Sequence, residues 1–489
     1  MLSFLAEVFS VPFHRMFLVV GMTIVGVSQM QGVPTAFAET KTPPNIVVIL
    51  ADDLGFGDVK ALNPDSKIDT PNLDRLAKDG MTFRDAHSPS AVCTPTRYGL
   101  ITGRYSWRTS LKRGVLGGYS PPLISPDRVT IATMLKQAGY HTTAIGKWHL
   151  GMNFAMQPNK KLNPNRWDGD PGVDFQKPIA NGPTTRGFDD YFGVSASLDM
   201  PPYVFIENDK FVSQPTIQQE RMGFPAFVRS GPRSKDFEFA DVLDQLTNRA
   251  AESIAEGAKR EQPFFLYFAM PAPHKPALPH SRFRETTGLG PYGDFVHQVD
   301  WTVGEIFKAL DRHNVTDSTI VFFTSDNGSY MYRFDENDVR DHVDDPKIQG
   351  YRAKHHRANG PFRGTKADIW EGGHHVPFFV RWPGVVKAGS QSDEPICHVD
   401  VFATCAAIAG QEPMPGVAED SVSLLPMLNG HTDHQRGVPV IHHSVSGMFS
   451  IRDGQWKLVL GNGSGGRQNP KGKPFGKPYQ LYDLKNDPT

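Results

Sequence analysis

The sequence has almost no net charge and lacks any long block of basic residues. Its 51 lysines and arginines are balanced by 52 acidic residues, which gives a formal net charge of −1. Proteins that bind nucleic acid carry a basic patch or stripe, so we expect no nucleic-acid partner. The same absence gives no sign of a polybasic membrane anchor.

Cysteine is also scarce, with three residues in the whole chain. Cys397 and Cys405 bracket "CHVDVFATC", which is predicted to be helical, and eight residues of helix span about 12 Å. A disulfide tolerates a Cα separation of only about 7 Å, so we expect both to be small buried apolar residues. Cys93 is left without an obvious structural partner.

Only one apolar run stands out, and it lies near the N-terminus. Arg15 is followed by "MFLVVGMTIVGV" and then by "PTAFAET", with small residues at Ala36 and Ala38. The run is short for a bilayer span, which takes about 20 residues, and the whole pattern is typical of a secretory signal peptide. We expect a signal peptide over residues 1–38 and an exported protein, periplasmic or secreted, with no stable membrane span after cleavage. An uncleaved anchor is the alternative.

Apolar segments rich in β-branched and aromatic residues alternate with amphipathic segments over residues 44–430. For example, the helical pattern "FVHQVDWTVGEIFKALDRHN" precedes the strand pattern "TIVFFTS". This alternation predicts the α/β class, with a large mixed, mostly parallel sheet sandwiched by helices. From 431 to 489, strands such as "FSIRDGQWKLVLG" follow one another without long helices, which predicts a small antiparallel α+β subdomain.

Oxygen-bearing side chains follow two of the predicted strands. "NIVVIL" leads into Asp52 and Asp53, and "TIVFFTS" leads into Asp326 and Asn327. Sites in open α/β sheets form at the carboxyl ends of strands, and three carboxylates with one amide carbonyl suit Ca²⁺, or less well Mg²⁺. The alternative is that each pair only forms a turn.

Basic side chains follow two further strands. Lys147 and His149 end "HTTAIGKWH", and His274 lies just past "PFFLYFAM". Lone histidines are usually structural, but their position beside a predicted metal site favours a catalytic role. Lys366, in "FRGTKADIWEGG", taken alone is more often a solvated surface charge.

Cys93 precedes the helix that is predicted to start near Pro95. Free N–H groups at a helix start attract anions, and Arg97 and Arg104 add guanidinium groups suited to tetrahedral oxyanions. A thiolate there could be a nucleophile, although an exported free thiol is prone to oxidation.

Together these motifs resemble the sulfatase family, within the alkaline phosphatase superfamily. "CTPTRYGLITGR" (93–104) is similar to its C-x-P-x-R-x-x-x-x-T-G signature, and "GYHTTAIGKWH" (139–149) to its second signature. "SDNG", "PHKP", "KADIWEGG" and "LYDLKNDP" occur in the family's order, so the resemblance covers nearly the whole mature chain and implies an alkaline phosphatase-like fold. Relatives usually continue beyond "LYDLKNDPT" into a terminal helix, so the C-terminal subdomain is either truncated or unusually short.

The resemblance implies a chemical role for Cys93. In the family this cysteine is oxidised to Cα-formylglycine by a formylglycine-generating or sulfatase-maturing enzyme. One hydroxyl of the hydrated aldehyde attacks the sulfur of a sulfate ester, and the alcohol departs. Deprotonation of the second hydroxyl then expels sulfate and restores the aldehyde, which is two-step nucleophilic catalysis assisted by a metal.

The resemblance also implies roles for the other residues. Arg97 and Lys147 orient the aldehyde hydrate, and His149 is the base that collapses the intermediate. His274 and Lys366 contact the sulfate and assist the leaving oxygen, and Ser197 occupies a sulfate-pocket position. The implied metal site, against residue 93, consists of Asp52, Asp53, Asp326, Asn327 and the modified Cys93.

The predicted function is therefore an exported sulfuric ester hydrolase that acts on sulfated small molecules or, by preference, sulfated carbohydrates. One alternative is a phosphonate monoester or phosphodiester hydrolase with the same modified residue. Another is a protein that binds sulfated glycans and whose Cys93 is never modified.

Overall fold

The structure is a computed structural model that describes residues 43–163, 167–412, 415–431 and 434–487. The predicted signal peptide lies outside the described residues. Among the described residues, no helix has the length and apolar character needed to cross a bilayer.

The described chain contains short strands throughout and helices concentrated between them. The strands are β1 (Asn45–Asp52), β2 (Met81–Phe83), β3 (Ala86–His87), β4 (His141–Lys147), β5 (Asp190–Val194), β6 (Ile206–Glu207), β7 (Lys210–Phe211), β8 (Ile217–Gln219), β9 (Gly231–Arg233), β10 (Phe264–Pro273), β11 (Thr319–Ser325), β12 (Tyr332–Phe334), β13 (Gly350–Arg352), β14 (Phe378–Arg381), β15 (Ser390–Ser392), β16 (Ile396–Cys397), β17 (Val440–His443), β18 (Phe449–Asp453), β19 (Trp456–Val459) and β20 (Gln480–Asp483). The α-helices are α1 (Pro71–Asp79), α2 (Cys93–Thr102), α3 (Ile131–Gln137), α4 (Val242–Gly257), α5 (Gly290–Arg312), α6 (Glu371–His374), α7 (Asp400–Ile408) and α8 (Leu425–Leu428).

Ten strands form the central sheet, in the order β15-β2-β14-β11-β1-β10-β4-β5-β6-β7. The strands at its centre, from β11 to β5, run parallel, while β14 and β6 pair antiparallel on either side. Ile46 of β1 lies opposite Phe265 of β10 and Ile320 of β11. The predicted large mixed, mostly parallel sheet is confirmed.

Both faces of this sheet are buried under helices. Side chains alternate along a strand, so Val47 and Ile49 of β1 pack into one core with α1, α4 and α5. Ile46 and Val48 pack into a second core with α2, α3 and α7. The continuous apolar strands of the sequence thus reflect burial on both faces, as predicted.

A second, four-stranded antiparallel sheet near the C-terminus has the order β17-β18-β19-β20, which confirms the predicted small C-terminal sheet. It packs on the segment that follows Lys366, where Met448 and Val459 bury Ile369 and Trp370. The predicted domain boundary between 430 and 431 stays a prediction.

The helix expected from Cys397 to Cys405 begins later than predicted. Cys397 lies in β16, and α7 begins at Asp400, whose carboxylate accepts a hydrogen bond from the Cys397 N–H at 2.8 Å. All three cysteines are nevertheless buried and free, so the expectation of no disulfide is confirmed.

Candidate active site

The carboxyl ends of four neighbouring strands bring the predicted residues together. The strands β4, β10, β1 and β11 lie side by side. Lys147 and Asp52 end β4 and β1, while His274 and Asp326 directly follow β10 and β11. All of the predicted site residues are buried: Asp52, Asp53, Cys93, Arg97, Lys147, His149, Ser197, His274, Asp326, Asn327 and Lys366.

The acidic residues converge although they are far apart in the chain. Oxygen atoms of Asp52 and Asp326 and the Cys93 sulfur lie within 4.8 Å of one another. The chain turns at Asp53, whose φ of 67° is uncommon for a residue with a side chain. As a result, carboxylate oxygens of Asp52 and Asp53 and a ring nitrogen of His274 also form a group within 4.8 Å.

Each carboxylate accepts hydrogen bonds from one cationic side chain, and Arg97 Nη2 also lies 3.8 Å from Asp52 Oδ1. Lys147 Nζ donates to Asp52 at 2.6 Å, and Lys366 Nζ donates to Asp53 at 2.8 Å. Arg97 donates to Asp326 Oδ2 through Nε at 2.9 Å and Nη2 at 2.8 Å. Three carboxylates and three cations therefore balance in a buried cluster.

Burial and these neighbours shift the carboxyl pKa values in different directions. Burial opposes ionisation of Asp52, yet Lys147 and the other nearby cations hold its pKa well below the usual value. Burial raises the pKa of Asp326, and the negative charge of Asp52 raises it further. Burial also raises the pKa of Asp53, against the opposing charge of Lys366.

Cys93 is the first residue of α2, so the helix begins two residues before the predicted start near Pro95. Its side chain is 2% exposed, and burial raises the pKa of its thiol, which disfavours a thiolate nucleophile. Thr96, one turn along, donates from Oγ1 to the Ser90 carbonyl at 3.0 Å. The Cys93 Sγ stands in for the hydroxyl groups that a hydrated aldehyde would carry on the same Cβ.

The donor set fits a hard divalent cation. Asp52 Oδ1 and Asn327 Oδ1 are buried and have no hydrogen-bond partner, and buried polar atoms are seldom left unpaired. Asn327 instead uses its nitrogen, which donates to Asp53 Oδ1 at 2.6 Å. The amide oxygen is thus free to join the carboxylates in the all-oxygen coordination that Ca²⁺ prefers.

His149 presents a free ring nitrogen. Its Nε2 lies 2.7 Å from the Leu116 carbonyl oxygen, which can only accept, so Nε2 carries the proton. The other nitrogen, Nδ1, is buried without a partner. Burial, then the charge of Lys147, holds the pKa of His149 well below its usual value, so the ring is neutral and Nδ1 can accept a proton.

His274 lies against Asp53 and the backbone of Lys275. Its Nδ1 lies 2.5 Å from the Lys275 carbonyl oxygen, and its Nε2 lies 3.6 Å from Asp53 Oδ2. Burial, then the charge of Lys366, lowers the pKa of His274.

Ser197 is buried with an unpaired hydroxyl, in the segment whose Ser195 carbonyl accepts a hydrogen bond from the His149 N–H at 3.0 Å. Among the described residues, no hydrogen bond joins its hydroxyl to the rest of the site.

Two cations near the site were absent from the predicted set. Burial lowers the pKa of Lys275 to about 8, and the charge of Arg467 lowers it further. Arg467 Nη1 is buried without a hydrogen-bond partner. Lys275 was visible within "PHKP", but Arg467 lies in the distant loop between β19 and β20 and follows two glycines in a segment with no sequence signal for catalysis.

A second group of buried histidines lies elsewhere. Ring nitrogens of His87, His374 and His442 lie within 4.8 Å of one another. However, Lys457 Nζ lies 2.7 Å from His374 Nε2, and the rings of His374 and His442 stack at 3.9 Å with their planes 10° apart. A metal ion would face a buried ammonium and could not lie in both ring planes, so this cluster joins the C-terminal sheet to α6 rather than holding metal.

Comparisons with known proteins agree on one family. A family model described as Sulfatase matches residues 44–411. The N-acetylgalactosamine-6-O-sulfatase of Bacteroides thetaiotaomicron is 34% identical and aligns over 91% of this chain and 88% of its own length. Human steryl-sulfatase is 32% identical over 84% of this chain and 73% of its own length.

A solved structure also matches, with a TM-score of 0.77. Its description concerns the metabolism of multiple glycosaminoglycans by Bacteroides thetaiotaomicron. It is 33% identical, and the match covers 91% of this chain and 94% of that one. The fold expected from the resemblance is thereby confirmed. Since a family model spans most of the chain and relatives above 30% identity align along most of their length, this chain belongs to the sulfatase family and is a sulfuric ester hydrolase.

Proposed function

We propose that this protein is an exported, Ca²⁺-dependent sulfatase that removes sulfate from sulfated carbohydrates and uses a formylglycine made from Cys93. One observation carries the proposal. The Cys93 sulfur lies within 4.8 Å of oxygen atoms of both Asp52 and Asp326, so a nucleophile on the Cys93 Cβ and a cation-binding group share one buried space.

The divalent ion would be held by Asp52, Asp53, Asp326 and Asn327. When bound, it would supply positive charge that attracts sulfate oxygens and favours an ionised nucleophile. Because the cluster is otherwise neutral, the loaded site gains a net positive charge in a region of low dielectric. Such a site favours an anionic substrate.

A formylglycine at residue 93 would supply the nucleophilic hydroxyl after hydration of its aldehyde. The maturing enzyme that performs this oxidation would act before the chain folds, because only 2% of Cys93 is exposed in the folded protein, too little for a second protein to grip. Arg97 fixes the α2 end of the site, since it donates to Asp326 and, through Nη1, to the Lys147 carbonyl at 3.0 Å.

Lys147 and His149 are the proton-handling groups nearest the nucleophile in this proposal. With the carboxylate charge met by a divalent ion, the Lys147 ammonium is free to contact the hydrated aldehyde. The unpartnered Nδ1 of His149 is the base that takes the proton from the second hydroxyl, as general base catalysis requires a neutral imidazole.

Lys366 and His274 would act on the leaving-group side. A bound sulfate ester brings negative charge, which favours the protonated form of His274, and that imidazolium can then donate from Nε2 to the departing oxygen. Lys366 adds a second positive charge for the sulfate. Ser197 stays a predicted sulfate contact, supported by its unpaired buried hydroxyl.

The carbohydrate assignment rests on relatives. A relative that aligns over 91% of this chain is named an N-acetylgalactosamine-6-O-sulfatase, so 6-O-sulfated N-acetylgalactosamine is the first sugar to test. Another relative of similar identity is named a steryl-sulfatase, so steryl sulfate is the necessary comparison.

The test uses mature protein in which conversion of Cys93 has been verified by peptide mass spectrometry. Sulfate release is measured from 4-nitrophenyl sulfate, 6-O-sulfated N-acetylgalactosamine and steryl sulfate, and 4-nitrophenol release is measured from a matched 4-nitrophenyl phosphate diester, each with and without Ca²⁺. We expect Ca²⁺-dependent release from the aryl and sugar sulfates. Converted protein that releases sulfate from none of them, or that prefers the phosphate diester, contradicts the proposal.

A further inference from the structure

A groove lies between the segment of β12 and β13 and the loop that joins β19 to β20. It has a volume of about 640 Å³, and its lining includes Tyr332, Arg333, Phe334, Arg340, Gln349 and Arg467. None of the residues that line it is acidic. A groove with three arginines and no carboxylate in its lining is complementary to an anion.

Two of the three arginines have no ion-pair partner within the described part of the chain. Arg340 is neutralised by Asp338, with the guanidinium and carboxylate 2.7 Å apart. Arg333 donates only to carbonyl oxygens, among them Pro361 at 3.1 Å, and burial and the charge of Arg357 lower its pKa. Arg467 has a buried Nη1 without any hydrogen-bond partner.

Arg467 is held in place by the same loop that carries the proposed catalytic lysine. The carboxylate of Asp368 accepts hydrogen bonds from the backbone N–H groups of Arg467 at 2.6 Å and of Gln468 at 3.2 Å. Asp368 also accepts from Thr365 N–H at 3.0 Å, and Lys366 lies between these two loop residues. The position of Arg467 is therefore fixed relative to Lys366.

A glycine makes this close approach possible. A Cβ on Gly466 would lie 2.4 Å from both the Ala367 carbonyl oxygen and Asp368 Oδ1. Any larger residue would push the C-terminal loop away from the Lys366 loop. The Gly-Gly-Arg sequence thus lets the backbone of Arg467 lie against the Lys366 loop.

Tyr330 links the active site to the chain segment that lines the groove, because Tyr332, two residues later, is part of the groove lining. The Tyr330 ring lies 6.4 Å from the His274 ring and 6.0 Å from Lys275 Nζ. Burial raises the pKa of Tyr330 and of Tyr332, and the positive charge of Arg467 opposes the shift in both. The wall of the groove therefore starts two residues after a side chain that packs against His274.

We infer that Arg333 and Arg467 form a second anion subsite, which binds a carboxylate or sulfate on the sugar next to the one that loses its sulfate. The inference rests on the proposed function. It makes the substrate an oligosaccharide with at least two anionic groups, rather than a monosaccharide sulfate. Guanidinium groups suit both oxyanions, because they donate paired hydrogen bonds in one plane.

The experiment compares three disaccharides that contain 6-O-sulfated N-acetylgalactosamine. The neighbouring sugar is glucuronic acid, its carboxyl-reduced glucose counterpart, or that glucose carrying a sulfate. Each is measured as a substrate and as a competitor of 4-nitrophenyl sulfate hydrolysis, so that binding is read even where no sulfate is released. The variants are Arg333→Gln, Arg467→Gln and, as a matched control, the exposed Arg260→Gln.

We expect at least one of the two dianionic disaccharides to have a kcat/KM about tenfold higher, or an inhibition constant about tenfold lower, than the reduced one, the effect of about 1.4 kcal/mol. Arg333→Gln and Arg467→Gln should reduce that ratio to about twofold or less, while Arg260→Gln should leave it unchanged. The preferred disaccharide identifies the anion as carboxylate or sulfate.

A native ratio near one, or a tenfold ratio that persists in both variants, overturns the inference. Failure of the proposed function is a separate result, because it is read from the absence of 4-nitrophenyl sulfate hydrolysis by converted native protein. If that hydrolysis is normal and the disaccharide ratios do not respond, only the second anion subsite is wrong.

Discussion

Replacement of Arg97 by lysine tests how the site is held together. The Arg97 guanidinium makes three hydrogen bonds, two to Asp326 Oδ2 and one to the Lys147 carbonyl. All of these groups are fully buried. A lysine ammonium keeps the charge but lacks the planar fork, so in Arg97→Lys it can retain about one of these contacts.

The expected cost follows from the lost contacts. Hydrogen bonds to charged groups contribute about 1.5–3 kcal/mol each, and two are lost, so about 3 kcal/mol is a lower estimate. At about 2.1 cal/mol/K per residue, the entropy of unfolding of this chain is about 1 kcal/mol/K. The Tm of Arg97→Lys should therefore fall by about 3 °C, and Ca²⁺ affinity should fall because Asp326 is no longer oriented.

Arg436 provides the matched control. It is also buried and donates to Asp400 through Nε at 2.9 Å and Nη2 at 3.0 Å, with Nη1 at 2.8 Å from the Val438 carbonyl. Arg436→Lys should lose a similar amount of Tm but keep its kcat/KM below the transition. Arg97→Lys should lose kcat/KM at least 100-fold, the effect of about 2.7 kcal/mol. Equal kcat/KM losses in the two variants, or a Tm change under about 1 °C in Arg97→Lys, would refute the reasoning.

Three further predictions concern the nucleophile, the metal and acid stability. Cys93→Ala should abolish sulfate release while the circular dichroism spectrum and Tm stay near those of the native protein; substantial turnover would exclude Cys93 as the nucleophile precursor. Asp52→Asn should bind less than half the native Ca²⁺ by elemental analysis, and an unchanged stoichiometry would argue against this ligand. Burial lowers the pKa of His443 to about 4, against about 6.5 in the unfolded chain. The neutral His443 ring therefore contributes its full stabilisation above about pH 6.5. As the pH falls from there towards 4, the free energy of unfolding decreases by about 1.4 kcal/mol per pH unit. His443→Gln should reduce the loss in free energy of unfolding between pH 7.5 and 5.5 by about 1 kcal/mol in urea titrations, whereas His431→Gln, at an exposed position, should not.

Much of the site could be predicted because local sequence controls it. Buried parallel strands have continuous apolar sequences, and their carboxyl ends must share one edge of the sheet. Asp52, Lys147 and Asp326 each follow such a strand directly, so their convergence required only the order of elements. The helix start at Cys93 was misplaced by two residues because the prediction depended on Pro95 as the first helical residue, whereas helix boundaries commonly shift by that amount.

The contribution of the C-terminal sheet could not be predicted from local patterns. Arg467 reaches the site only because Asp368, 99 positions earlier, accepts its backbone N–H. Neither residue lies in a periodic segment, and a Gly-rich stretch is typical of a loop. Contacts of this kind depend on the packing of Met448 and Val459 against Ile369, which only the folded structure provides.

The balance of charges explains why these two parts belong together. Within the inner cluster, three carboxylates meet three cations, so anion attraction there depends on an added divalent ion. Around Lys275 the cations are in excess, because neither Lys275 nor Arg467 has an ion-pair partner among the described residues. Burial and then the positive charge of Arg467 lower the pKa of Lys275, so removing the Arg467 charge offers a direct check. Arg467→Gln should raise the pKa of Lys275 from about 8 towards its usual value, measured by NMR with ¹⁵N-labelled lysine, while Arg260→Gln should not change it. An unchanged Lys275 pKa in Arg467→Gln would show that the charge of Arg467 does not act on Lys275.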